Sequence, residues 1–215
     1  VKPVMWSPVE KTALAEAEIE YHDHVSTTIF ARFPIKKAPL EILNDYEIII
    51  WTTTPWTMPG NRAVAYGKDI DYSLLEITSV NENSLAKIGD KIVVANQLLE
   101  EAIKELSISN YNVSKKLKGS DFEGSILAHP LNGYGYDHDV LLLEADFVTT
   151  DQGTGFVHIA PGHGADDFEL GKKHNLPIPE TVSDNGILDN ELPLLGGLRV
   201  LKDNEKIADI MSEHN

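Results

Sequence analysis

Apolar residues come along this chain in short bursts, most of them four to eight long and closed by Gly, Pro, Asn or Asp. Such bursts predict strands, whereas apolar positions three and four apart predict helices. Thr12 to Glu18 holds good helix formers and predicts a short helix, with Ser7 in Trp6-Ser7-Pro8 as a candidate cap before it. From Ile19 the pattern is strand-like as far as Phe33, where Pro34 and Pro39 break it. Glu47 to Thr54 (EIIIWTTT) is β-branched and aromatic, a buried strand stopped by Pro55 and Pro59-Gly60 in a tight, irregular loop. Ala63 to Tyr66, Tyr72 to Thr78, Lys91 to Ala95, Val113 to Leu117, Gly124 to Ala128, Val140 to Glu144 and Gly155 to Ala160 read as further strands. Gln97 to Leu106 has apolar residues at 98, 99, 102, 103 and 106, which is helical spacing. Ala165 to His174 predicts a helix whose acidic start and basic end suit the helix dipole, and Asn204 to His214 predicts a last one. Strand and helix do not alternate regularly and no repeat is evident. The expected fold is therefore mixed α/β of the α+β kind, a β-barrel-like core of short strands with peripheral helices.

Composition narrows the class. The 215 residues are 42% hydrophobic and 24% charged, too apolar for a disordered chain and of a size for one domain. Cysteine is absent, which removes disulfides, cysteine nucleophiles and thiolate metal sites and agrees with a reducing, cytoplasmic setting. No apolar run nears the ~20 residues of a membrane helix, and the start lacks a signal peptide's apolar stretch. The first residue is Val, so the chain reads as an excised piece of something larger. With 18 Lys+Arg against 34 Asp+Glu, the net charge of −16 argues against a protein that coats nucleic acid by itself. A site that accepts one nucleic acid end delivered by another domain remains compatible.

Two stretches carry candidate chemistry. In Trp51-Thr52-Thr53-Thr54-Pro55-Trp56-Thr57-Met58-Pro59-Gly60-Asn61, four threonines and two tryptophans sit at a strand end. Strand alternation puts Thr52 and Thr54 on one face and Thr53 on the other. The prolines then fold Thr57 and Asn61 back, giving a neutral polar pocket floor walled by indole. The plain alternative is that Thr is common in strands. The second stretch is Gly153-Thr154-Gly155-Phe156-Val157-His158-Ile159-Ala160-Pro161-Gly162-His163-Gly164-Ala165-Asp166-Asp167. Its glycines allow close backbone approach to a ligand. A carboxylate at the helix start can be held ionised by helix amides and can grip an ammonium group. Core packing for His158 and helix capping for Asp166 and Asp167 are the plain alternatives. A metal site of His158, His163 and Asp167 competes, although glycines flank His163 and zinc favours clearer ligand sets.

WTTTPWTMPGN and GTGFVHIAPGHGADDF resemble the inserted editing domain of isoleucyl-tRNA synthetases, bacterial branch, and WSPVEKTALAEAEIEY resembles the segment that joins that domain to the catalytic body. The resemblance covers essentially all of 1–215, with 1–18 and 200–215 as the connections to the body. It implies an aminoacyl-tRNA deacylase that hydrolyses mischarged Val-tRNA(Ile) and valyl-adenylate, because valine and isoleucine differ by one methylene and binding alone separates them poorly. It implies that Asp167 binds the α-ammonium of valine and that Thr54 and Thr57 position the ester and the attacking water. It further implies that His158 bounds the side-chain pocket, that Trp51, Thr52 and Thr53 line it, and that Asn61 supports its loop or the terminal adenosine. The partners implied are the 3′ end of aminoacylated tRNA(Ile), valyl-adenylate and the parent body, with no membrane, no metal, no cofactor and a monomeric state. No ATP-site signature of the HIGH or KMSKS type occurs, so aminoacylation is not expected of this chain. A metal-dependent hydrolase and a non-catalytic tRNA-binding module stand as the rival readings.

Overall fold

The structure is a computed structural model that describes residues 3–23 and 25–214. Val1, Lys2, His24 and Asn215 lie outside the described residues. The lead-in is a small hairpin, not a helix: β1 (Trp6–Ser7) pairs antiparallel with β2 (Thr12–Ala13), and only Glu16–Glu18 forms one 3-10 turn. Ser7 accordingly accepts the Glu10 N–H inside a turn and caps no helix. A helix this short, without an apolar face to bury, has too little to offset its nucleation cost. The Trp6 indole N–H donates to the Asp184 carbonyl at 2.8 Å, so the hairpin lies against a segment late in the chain.

The strand expected from Ile19 begins only at Ile29. β3 (Ile29–Lys37) then runs straight through Pro34. Pro34 is tolerated because β3 changes partner there: residues 29–34 pair with β4 (Glu47–Thr52), and 35–37 pair with β9 (Ile126–Ala128) across a bulge. A missing N–H costs least at such a break in the ladder. The remaining strands are β5 (Ala63–Tyr66), β6 (Asp71–Val80), β7 (Lys91–Ala95), β8 (Ile108–Lys118), β10 (Asp139–Glu144) and β11 (Phe156–Ile159). They form one nine-stranded mixed sheet in the order β11-β5-β10-β9-β3-β4-β7-β6-β8, in which β10–β5 and β4–β7 are parallel pairs. The helices are α1 (Leu99–Glu105), α2 (Ala165–Lys173) and α3 (Asn204–His214). Among the described residues, no helix is long and apolar enough to cross a membrane.

The sheet curls until its first strand returns to its middle, which gives barrel-like curvature without ladder pairing between β11 and β8. Three bonds pin the return. The Thr154 hydroxyl donates to the Ile49 carbonyl at 2.5 Å, Ala95 N–H donates to the Thr154 carbonyl at 2.9 Å, and the Tyr72 hydroxyl donates to the Gly155 carbonyl at 2.8 Å. Gly155 has φ +82, and a Cβ there would stand 2.3 Å from the Ala95 Cβ. This glycine therefore serves a strand-to-strand approach, not the approach to a ligand read from the sequence. Tyr72 and Phe156 stack over this corner, with Phe122 edge-on to both. α3 buries Ile207 and Met211 in the main core.

Candidate active site

Because β11 returns onto β4, the two motifs meet. Beyond Thr52 the chain turns through the 3-10 helix Pro55–Gly60, with Pro55 at its start, where a missing N–H costs nothing. β4 ends at Thr52 and the chain bends at Thr53, where the Thr54 N–H donates to the Thr52 hydroxyl at 3.1 Å and brings the two hydroxyl oxygens to 3.2 Å. Thr57 folds back beneath them: its hydroxyl donates to the Thr54 carbonyl at 2.8 Å and lies 3.5 Å from the Thr54 hydroxyl. His158, on β11, reaches the Thr57 hydroxyl through Nε2 at 2.9 Å. These hydroxyls, the imidazole, Trp51 and the Asp167 carboxyl enclose a cavity of about 200 Å³. That is smaller than the ~300–1,000 Å³ of ordinary ligand pockets, so it suits a small group and not a whole nucleotide. A larger groove of about 640 Å³ lies between α3 and the β3–β4 face and shares Trp51 with it. Its charged wall, Arg32, is already engaged with Glu47 and Asp90. The convergent hydroxyls belong to the smaller cavity.

Two predicted residues stand elsewhere. Thr53 is exposed and does not line the cavity, since it points to the opposite side of the strand end. Asn61 is fully buried behind His158, donating to His158 Nδ1 and to the Ala63 carbonyl, both at 2.8 Å. It supports the wall and does not touch the cavity.

Val157, Ala160, His163 and Gly164 complete the lining and were not picked out as pocket residues. His163 had a visible signal, a histidine between two glycines, but was weighed only as a metal ligand. Its Nε2 bonds the Thr181 hydroxyl at 2.7 Å, and its ring meets Trp56 edge-on at 5.1 Å. Thr181 is distant in sequence, and nothing local foretells that contact. Among the described residues, no three His, Asp or Glu side chains are grouped in a way that could hold a metal ion.

Burial governs the electrostatics of the site's titratable groups. Burial, with His129 and His163 nearby, pushes His158 down to about 3, so its imidazole is neutral at physiological pH. His163 is also lowered by burial. Asp167 opens α2 and accepts the Ala160 N–H at 2.7 Å. Burial nevertheless outweighs its amide contacts and raises its pKa above 3.8. The helix amides therefore do not dominate, contrary to the sequence expectation, and the carboxylate sits unpaired in a poorly solvated place. Such a group gains most from an incoming cation.

Residues 32–193 match the family described as the editing domain of leucyl-tRNA synthetase. The chain belongs to the aminoacyl-tRNA synthetase editing-domain family. It is 50% identical to the isoleucine–tRNA ligase of Gluconobacter oxydans over 215 residues and 48% identical to that of Pelagibacter ubique over 212 residues, in each case across 99% of this chain. It spans only 22% and 23% of those relatives, about a fifth of their length. The isoleucyl character of both motifs agrees with these relatives. A crystal structure described as GlLeuRS-CP1 superposes with a TM-score of 0.63, covering 87% of this chain and 96% of that one. At 13% identity that likeness concerns the fold alone.

Proposed function

We propose that this editing domain hydrolyses mischarged Val-tRNA(Ile), and valyl-adenylate, for a parent isoleucyl-tRNA synthetase. The observation that carries the reading is the convergence of Thr54, Thr57 and His158 with the Asp167 carboxylate around one small cavity. Asp167 takes the α-ammonium of the misplaced amino acid. His158 and Val157 bound the space for its side chain, which admits valine and excludes the extra methylene of isoleucine. The threonine hydroxyls hold the ester carbonyl and the attacking water. An aminoacyl ester is already activated, so orientation and hydrogen bonding at the carbonyl supply the acceleration without a metal, cofactor or strong base. His158 is too weak a base to take the water's proton, and both its ring nitrogens are bonded within the wall. The tRNA 3′ end reaches the site from outside. Most tRNA affinity comes from the parent body, in keeping with the charge of −16. We read the whole of 1–215 as one editing domain, monomeric and cytoplasmic with its parent. The exposed Val4, Met5 and Val9 of the lead-in hairpin face the parent body.

The test is Asp167→Ala in the intact synthetase. A hydrogen bond to a charged group contributes about 1.5–3 kcal/mol, so deacylation of Val-tRNA(Ile) should fall about 10–100-fold while aminoacylation persists. Unchanged deacylation would remove the assignment.

A further inference from the structure

We infer that Asn61 sets the tautomer of His158, and through it makes the Thr57 hydroxyl an acceptor toward the cavity, so that Asn61 is a positioning residue and not a substrate ligand. The inference rests on the hydrolytic reading above for its purpose, but not for its geometry.

The argument follows the donors. The Asn61 amide nitrogen lies 2.8 Å from the Ala63 carbonyl, 2.8 Å from His158 Nδ1 and 3.4 Å from the Ile159 carbonyl. Carbonyls can only accept, so this end of the amide must be the NH₂, and a flipped amide would set oxygen against oxygen. Its two hydrogens go to the two short contacts. His158 Nδ1 therefore receives a hydrogen bond and carries no proton. A neutral imidazole has one N–H, so that proton is on Nε2. Nε2 lies 2.9 Å from the Thr57 oxygen and must donate to it. The Thr57 hydroxyl has one hydrogen of its own, which goes to the Thr54 carbonyl at 2.8 Å. The chain of bonds is thus directional at every link and ends on backbone carbonyls at both ends.

Two consequences follow for the cavity. Thr57 has spent its only proton on the backbone, so it offers the cavity a lone pair. It can accept a hydrogen bond from the attacking water and so orient it, but cannot donate to an ester oxygen. Thr54 differs. Its backbone N–H donates to the Thr52 oxygen at 3.1 Å, and among the described residues its own hydroxyl has no backbone acceptor. The Thr54 proton is therefore shared only among hydroxyls, the Thr52 oxygen at 3.2 Å and the Thr57 oxygen at 3.5 Å, so Thr54 or its neighbour Thr52, and not Thr57, can turn a proton to the ester carbonyl. The arrangement leaves one orphan: among the described residues the buried Asn61 side-chain oxygen has no partner. An unpartnered buried acceptor is unfavourable by itself, and its retention is explained when the nitrogen end has a task. Protonating Nδ1 would also bring its hydrogen against the Asn61 N–H, which adds to the burial that keeps His158 neutral.

The test begins with the unsubstituted chain, 15N-labelled at histidine. His129 must be distinguished, because it accepts the Leu131 N–H at Nδ1 and faces the Met58 carbonyl through Nε2. The His158 signals are assigned by their loss in His158→Gln. The expected result is a neutral Nε2–H imidazole that persists as pH is lowered through 5. A His158 proton on Nδ1, or a His158 that titrates near 6.5, overturns the inference whatever the enzyme does. In Asn61→Asp the carboxylate should attract a proton to Nδ1 and reverse the tautomer. In the intact synthetase, kcat for Val-tRNA(Ile) deacylation should then drop on the order of tenfold with KM unchanged. A rise confined to KM would make Asn61 a substrate ligand and refute the positioning role. If the unsubstituted synthetase does not deacylate Val-tRNA(Ile), the functional reading fails, and the tautomer measurement still judges Asn61.

Discussion

At the scale of single residues, the site depends on which groups are charged. Asp167 must be ionised to hold an ammonium, and burial has raised its pKa above the 3.8 of an ordinary aspartate. Affinity for an aminoacyl-adenosine analogue with a free amino group should therefore decline as pH falls through that raised value, at a higher pH than an exposed carboxylate would give. The des-amino analogue should bind more weakly and without that dependence. Calorimetric titration from pH 7.5 downward distinguishes them, and identical pH profiles would separate Asp167 from the amino group. His158 makes a different demand. It is neutral, buried and bonded on both nitrogens, so its role in the proposed sieve is volume. His158→Ala should open the cavity to a larger side chain, and cognate Ile-tRNA(Ile) should then be hydrolysed by the intact enzyme. Full protection of Ile-tRNA(Ile) would hand the sieve to another wall, with Val157 the nearest candidate.

At the scale of elements, the start of α2 governs the carboxylate. Gly164 precedes that helix with φ −136, a conformation open to any residue, yet an added Cβ would lie 2.4 Å from Asp167 Oδ1. Gly164→Ala should leave thermal stability within a few degrees while pushing the carboxylate aside, so analogue binding should weaken in a folded protein. Unaltered binding would mean that the carboxylate needs no fixed place. This element also illustrates what a linear pattern reveals. β4 was legible as a β-branched and aromatic run closed by Pro55, β11 as a short apolar run closed by Pro161-Gly162, and α2 by its acidic start and basic end. Thr52 and Thr54 do meet, but through a bend just past the end of β4 and not through the strand period used to place them together. Thr12 to Glu18 was read as a helix, where the structure has β2 and one 3-10 turn, because helix formers without a face to bury carry weak information, and β3 was cut short at Pro34 because its change of partner is a tertiary fact. Likewise Asn61 was read as supporting either the pocket loop or the terminal adenosine, since no sequence pattern tells that His158 would come between it and the cavity. His163 gave a signal for chemistry but none for Thr181, its partner across the fold.

At the scale of the whole molecule, the neutral histidines give a prediction about stability. His129 and His158 are both held at about 3 in the fold, against 6.5 when unfolded, and His138 and His163 are lowered too. Between those limits the unfolded chain binds protons that the folded chain refuses, so stability is fully present above about 6.5 and is lost as pH falls toward about 3. Each excluded proton contributes a slope of about 1.4 kcal/mol per pH unit. Asp167 acts in the opposite sense, since its raised folded pKa makes the native state bind a proton first as pH falls below the raised value, but it is one group against several. Relief of the −16 charge on acidification also opposes the loss, and that term is weakened by salt. Urea unfolding in 0.15 M salt at pH 7.5, 6.0 and 5.0 should show a falling midpoint. His158→Gln, which cannot be protonated, should flatten the dependence by about one histidine's slope even though the variant is less stable at pH 7.5. A pH dependence that His158→Gln leaves unchanged would mean that acid reaches His158 within the fold, and the neutral imidazole on which the sieve depends would have to be abandoned.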